Sequence, residues 1–162
     1  MARVRLTGLL TALALALALP AGAHARTPCP GEQLTPTILN TAQVSGAIFC
    51  LTNQIRASYG LPTVTGDSRL DTAALLHSAD MSLRSFFDHL NPDGLSPGAR
   101  AAAQGYTLGV GENIAMGYPT ARTVVLGWMA SGGHCRNVLS PARNLGVGTV
   151  TATTAYYTQV FG

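Results

Sequence analysis

Apolar side chains recur at helical spacing along most of this chain and alternate strictly only near its end; that change of period constrains the fold most. Ile38, Ala42, Ala47, Ile48, Leu51 and Ile55 favour one face of a first helix, which Thr37 can cap and Gly60 stops. Asp67 is placed to cap a second helix, in which Leu70, Ala73, Ala74, His77 and Met81 form one stripe and which gives out near Ser85. Ser96-Pro97 opens a short helix that carries Arg100 and ends at Gly105. Thr120 caps another, with Val124, Val125, Trp128 and Met129 as its apolar set, and Ser131-Gly132-Gly133 breaks it before His134. In the tail, Leu145, Val147 and Thr149 alternate, Tyr156 to Phe161 form a second strand, and Thr151 to Thr154 make the hairpin turn between them. Helices that fill most of the chain, with strands arriving late, predict α+β packing rather than parallel βαβ units.

Met1 to Ala25 stands apart from this pattern. Arg3 and Arg5 supply a positive start, Leu9 to Pro20 is a run of Leu and Ala, and Ala23-His24-Ala25 offers the small residues of a cleavage site. The run is shorter than the roughly 20 residues of a membrane span. A signal peptide over 1–25 is the expectation, followed by an N-terminal arm and helix start over 26–49 and the folded domain over 50–162. The protein is then secreted, extracellular and without a transmembrane segment in its mature form. Cys29 sits four residues past the expected cleavage point, too far for lipoprotein anchoring. Removing Arg3 and Arg5 from ten basic residues leaves eight against seven acidic ones, a net charge of +1. Lysine is absent and the arginines are scattered, so the basic footprint of a nucleic-acid binder is missing. A monomer is the expected state.

Three cysteines, Cys29, Cys50 and Cys135, leave an odd thiol if two pair in an oxidising compartment. A Cys29 to Cys50 bridge would tie the arm to the first helix, so that pair is expected. Cys135 follows His134 directly, but adjacent side chains diverge, and a small, partly buried thiol is the simpler reading than a nucleophilic dyad.

Chemistry-bearing residues concentrate between Phe86 and His134. His89 falls where helix gives way to the Asn91-Pro92-Asp93-Gly94 turn, Glu112 lies in Gly111-Glu112-Asn113, and His134 follows the glycine pair. Two imidazoles and a carboxylate are the ligand set of many open zinc sites. The alternative is a polar network that braces the loops, since a carboxylate in a cleft needs a partner of some kind. His77, on an apolar helix face, reads as a hydrogen-bonded structural histidine. Gly109-Val110-Gly111 lacks the third glycine and the preceding strand of a dinucleotide fingerprint, and neither a Gly-x-Ser-x-Gly elbow nor an HExxH pair occurs.

Taken in order, Cys50-Leu51-Thr52-Asn53-Gln54-Ile55-Arg56, Phe87-Asp88-His89, Gly111-Glu112-Asn113-Ile114-Ala115, Trp128-Met129-Ala130-Ser131-Gly132-Gly133-His134, Asn137-Val138-Leu139, Gly146-Val147-Gly148 and Tyr157-Thr158-Gln159-Val160-Phe161-Gly162 resemble the CAP superfamily. These are the cysteine-rich secretory, antigen 5 and pathogenesis-related 1 proteins, or SCP domains, and the likeness is to small exported bacterial members. The resemblance implies a three-layer α-β-α sandwich with an open cleft lined by two histidines and two acidic residues, able to hold a divalent metal such as zinc. His89 matches the first histidine and Glu112 the first glutamate. Ser131 stands where the family has a glutamate and Tyr156 where it has a histidine, while His134 returns an imidazole to the cleft. His89, Glu112, His134, Ser131 and Tyr156 are therefore the candidate cleft residues, and His89, Glu112 and His134 the candidate ligands for Zn2+ or another divalent cation.

Two function classes follow. One is a secreted binding module whose cleft takes a small apolar ligand, a lipid or a cell-envelope component, as the family's sterol and lipid binding suggests. The other is a metal-assisted, peptidase-like hydrolase using a water activated by His89, Glu112 and His134. The missing hydrolase motifs and the depleted tetrad favour the first.

Overall fold

The computed structural model describes residues 26–162, so the expected leader, Met1 to Ala25, lies outside the described residues. The elements are α1 (Thr41–Ser58), β1 (Thr65–Gly66), α2 (Ser68–Arg84), α3 (Pro97–Ala103), β2 (Gly111–Met116), α4 (Ala121–Ala130), α5 (Gly132–Val138), β3 (Asn144–Thr151) and β4 (Ala155–Phe161). Four strands form one sheet in the order β1-β3-β4-β2. β3 and β2 both pair antiparallel with β4, and β1 adds a two-residue parallel pairing to β3. Helices α1, α4 and α5 cover one face through a core that includes Ile48, Trp128, Val138 and Tyr157. Helix α2 and α3 cover the other through Leu70, Ala74, Ala101, Tyr106 and Val160. The α+β, three-layer α-β-α architecture is as expected.

Local chemistry explains most of the boundaries. Asp67 caps α2 by accepting from the Arg69 N–H, Ser96 caps α3 with Pro97 at its first position, and Thr120 and Thr123 close a capping box on α4. Helix α2 ends at Ser85, a non-glycine residue at φ 55° that turns the chain into the Phe86 to His89 segment. The α2 layer sits unusually close to the sheet because Gly146 and Gly148 present no side chain to it. A Cβ at Gly146 would overlap the Leu70 and Asp71 backbone, and one at Gly148 that of Ala74 and Leu75.

Three expectations are corrected. Helix α1 starts at Thr41 with Asn40 before it, not at Thr37, because the Asn40 side chain accepts the Thr37 N–H and closes a separate turn. Ile38 is consequently 78% exposed and Ala42 exposed, and the buried face runs through Val44, Ala47, Ile48, Leu51, Thr52 and Arg56. Gly111 to Met116, which shows no run of alternation, is a strand, with partners along β4 supplying the ladder. The glycine pair after Ser131 does not open a loop: α5 begins at Gly132, and His134 is helical.

Arg56 shows how a charged residue can belong to this core. It is 2% exposed, and its guanidinium donates to the carbonyls of Pro62 (2.9 Å), Val138 (2.8 Å), Ser140 (2.7 Å) and Ala142 (3.2 Å). Those oxygens include the end of α5, which has no continuing helix to satisfy them.

The arm is held as expected by a Cys29–Cys50 disulfide, while Cys135 is a free thiol. Glu32 reinforces it, accepting from the Cys29 N–H and pairing with Arg26 and, at 3.4 Å, with Arg122 of α4. Mass mapping of the oxidised protein should find one internal bridge, Cys29 to Cys50, and one alkylatable thiol; a bridge involving Cys135 would contradict the structure. Gly148→Ala should destabilise by about 3 kcal/mol in a urea melt, since no side-chain shift can relieve an overlap with helix backbone.

Candidate functional site

A cleft of about 490 Å³ opens along the β2 edge of the sheet. One wall is the Phe87-Asp88-His89 segment, the floor is Ile114, Ala115 and Met116 of β2, and the far wall is Tyr118, Gly127 and Trp128, with Ser131 and His134 at the α4–α5 junction. Tyr118 can lie flat on α4 only because Gly127 lacks a Cβ, which would overlap its ring. Trp128 is 2% exposed and donates its indole N–H to the Ile114 carbonyl at 3.1 Å, so α4 is fastened to the strand edge.

Behind the cleft lies Glu112, its side chain 2% exposed. One carboxylate oxygen accepts from Arg100 Nη2 at 2.6 Å and the other from His89 Nδ1 at 2.8 Å. Arg100 also donates through Nη1 to the carbonyls of His89 and Leu95, at 2.8 and 2.7 Å, so one guanidinium fixes both the loop and the acid that holds the loop's imidazole. Because Glu112 accepts at Nδ1, the neutral His89 tautomer leaves Nε2 as a free base, the arrangement in which a carboxylate orients a histidine. The hydrogen bond that His89 donates to Glu112 raises the His89 pKa above its ordinary value.

His77 belongs to the same cluster. It is fully buried, its Nε2 donates to the Asp88 carbonyl at 3.0 Å, and Nδ1 has no partner among the described residues. The structural role expected for it therefore holds, although it sits 3.8 Å from a Glu112 oxygen. That approach is not an ion pair at neutral pH, because burial lowers the His77 pKa and outweighs the nearby carboxylate. His134 is also pushed down, by burial and then by the charge of His89 across the cleft.

A second polar chain positions His134. Asn113 donates to the His134 carbonyl and to Gln159 Oε1, Asn137 donates to the Glu112 carbonyl and to Asn113 Oδ1, and Gln159 donates to Thr52 of α1. Helix α5 is thus stitched to β2, β4 and α1 by amides whose bonds are satisfied.

Of the residues expected in the cleft, His89, His134 and Ser131 line it and Glu112 stands directly behind His89. Tyr156 does not join them. It pairs with Met116 and Val150 one strand further in, on the sheet face of Thr158, which bonds Ser78 of α2. The expected three-ligand metal set also does not fit: both Glu112 oxygens are engaged, and among the described residues no three His, Cys, Asp or Glu side chains converge on one point. One residue went unrecognised from sequence: Arg100 is the one charged residue of an Ala-rich helix, a signal that could have marked it.

Comparison with known proteins agrees with the fold. A model of the cysteine-rich secretory protein family, CAP, matches residues 49–161. The uncharacterized protein YkwD of Bacillus subtilis (strain 168) is 33% identical over 142 residues, covering 85% of this chain and 55% of its own. An extracellular protein containing an SCP domain from Bacillus anthracis superposes with a TM-score of 0.68 at 32% identity, over 78% of this chain and 43% of its own. An outer surface protein of Borrelia burgdorferi shares the fold, with a TM-score of 0.69 at 16% identity over 79% of this chain and 96% of its own. The chain thus spans about half the length of the two more similar relatives.

Arg100→Met should cost about 3 to 5 kcal/mol, as expected for removing one partner of a buried ion pair. The double variant with Glu112→Gln should lose less than the two single losses together, and strict additivity in urea melts would show that the pair is not coupled. In an NMR titration the His89 midpoint should lie above about 6.5, and those of His77 and His134 below it. The signs for stability are opposite. His89 contributes stability below its ordinary pKa that is lost as pH rises through its raised value. His77 lowers stability as pH falls below its ordinary value, because the unfolded chain takes a proton that the folded one refuses. Glu112→Gln should bring the His89 midpoint down.

Proposed function

The chain belongs to the CAP family of cysteine-rich secretory proteins, and on that premise we propose that it is an exported binding protein whose cleft receives a small apolar ligand, a lipid or a cell-envelope component. The observation that carries this reading is the composition of the cleft. Phe87, Ile114, Met116, Tyr118 and Trp128 give it apolar walls, and His89, Ser131 and His134 place polar groups in it. An apolar body with a polar head group fits that division. Export is supported by the disulfide, which suits an oxidising compartment, and by the description of the B. anthracis relative as extracellular. Among the described residues no helix is long and apolar enough to cross a membrane.

A second reading, hydrolysis, draws on one specific feature: the Glu112-oriented imidazole of His89, whose Nε2 is a positioned general base. His89 would take a proton from a water or hydroxyl in the cleft while Glu112 stabilises the imidazolium.

A fluorescent long-chain acyl probe should bind the wild type and lose at least about tenfold in affinity in Met116→Arg, which sets a charge against the apolar part of the cleft. His89→Gln should weaken the same probe only modestly. Equal affinity for wild type and Met116→Arg would remove the cleft from consideration. Ester turnover that is abolished in His89→Gln would favour the hydrolase.

A further inference from the structure

Two groups that face the cleft have no structural task, and they suit one another chemically. His89 is tied to Glu112 through Nδ1 at 2.8 Å, and among the described residues its Nε2 has no hydrogen-bond partner. Ser131 lines the opposite side of the same cleft, from the α4–α5 junction. It occupies the position before α5 at which a serine hydroxyl ordinarily accepts a main-chain N–H, yet it makes no such bond, and its Oγ is bonded to no other described residue. Gly132 and Gly133, which follow it, are exposed and set no side chain against that hydroxyl. His134 lies three residues beyond Ser131, on the same side of the turn, and lines the cleft as well. It stands close enough to His89 for the charge of that ring to act on it, and with burial this keeps His134 neutral.

We infer that Ser131 is a nucleophile, with His89 as its general base and Glu112 as the group that orients the base, for the hydrolysis of carboxylic esters of apolar acyl groups. The inference rests on the reading of the cleft as a receptor for an apolar ligand and adds a reaction to it. Glu112, held rigid by Arg100, fixes the His89 tautomer and stabilises the imidazolium that forms. Ser131 and His89 face each other without a hydrogen bond between them; such a bond is commonly open in a free enzyme and tightens around the substrate. The acyl chain lies along Phe87, Ile114, Met116 and Tyr118, which brings its carbonyl to the polar end of the cleft. Ser131 Oγ forms a bond to the carbonyl carbon as Nε2 takes its proton, and the carbonyl oxygen, now negative, accepts from the neutral His134 ring. Collapse of this adduct breaks the bond to the alcohol oxygen, which leaves with the proton from Nε2. Water then attacks the acyl-serine and gives a proton to His89; the acid departs and the hydroxyl is restored. The balance is ester and water in, acid and alcohol out.

The test treats the oxidised protein with an ethyl and a dodecyl fluorophosphonate, locates the label by peptide mass mapping, and follows turnover of p-nitrophenyl octanoate in parallel. The expected result is a label on Ser131, at least about tenfold faster with the dodecyl reagent, and an initial burst of nitrophenol from the acyl-serine. Ser131→Ala and His89→Gln should each lower turnover at least about a hundredfold, and the double variant should be no slower than either, because the two residues act as a unit. Ser131→Cys should keep the burst, while His134→Gln, which keeps a donor, should lose at most about tenfold. Ser131→Ala should still bind the fluorescent acyl probe and melt with the wild type, which separates loss of a nucleophile from loss of the fold. A wild type that binds the acyl probe yet takes no label at Ser131 would overturn the inference and leave the binding reading standing. Turnover unchanged in Ser131→Ala, or as large a loss in His134→Gln as in His89→Gln, would overturn the assigned roles, and equal labelling rates for the two reagents would overturn the apolar acyl class.

Discussion

The carboxylate of Glu112 is removed from water, and the site exists because two neighbours compensate it. A buried charge of this kind is tolerated only when paired and hydrogen-bonded. Arg100 meets one oxygen and His89 the other. Since Arg100 simultaneously holds the His89 and Leu95 carbonyls, the same ion pair that neutralises the acid fixes the segment that walls the cleft. Phe87 and His89 thus owe their positions to an electrostatic requirement beneath the surface. His77 completes the arrangement from α2 by gripping the Asp88 carbonyl, which leaves the loop anchored from three elements: α2, α3 and β2.

How much of this was legible in the sequence follows from what kind of force placed each residue. Caps written in short-range chemistry, Asp67, Ser96 and Thr120, could be read directly because the capping side chain and its target lie within three residues. Helix α1 was shifted because Thr37 and Asn40 are both of capping type, and the Asn40 side chain accepts the Thr37 N–H, which closes a separate turn ahead of the helix. Strand β2 and helix α5 are stabilised by partners far along the chain, β4 and the Asn113–Asn137 amides, and carry little local signal of their own. At the site, His89 and His134 were identifiable by type and setting. Glu112 was found but given a role its neighbours forbid, because the guanidinium that occupies it sits on a helix that reads as ordinary surface. Tyr156 was placed by analogy; it shares the sheet face of Glu112 and Met116 but stands one strand further in and is not among the cleft-lining residues.

The two edges of the sheet are treated differently. On the β2 edge, Trp128 and Asn137 take outward carbonyls, so the cleft is roofed by side chains that substitute for a neighbouring strand. On the β3 edge, among the described residues, only Asp67 and Asp71 make such substitutions, and only at one end.

Strand β4 is the last element in chain order, yet it lies in the interior of the sheet with β3 and β2 on either side. Its neighbour β2 lies some forty residues upstream, and the Gln159 to Thr52 bond spans 107 positions. A growing or threading chain therefore cannot lock its middle layer in installments: until residues 155–161 arrive, β2 has no ladder and Glu112 no rigid strand to stand on. Such non-local closure makes assembly slow and concerted.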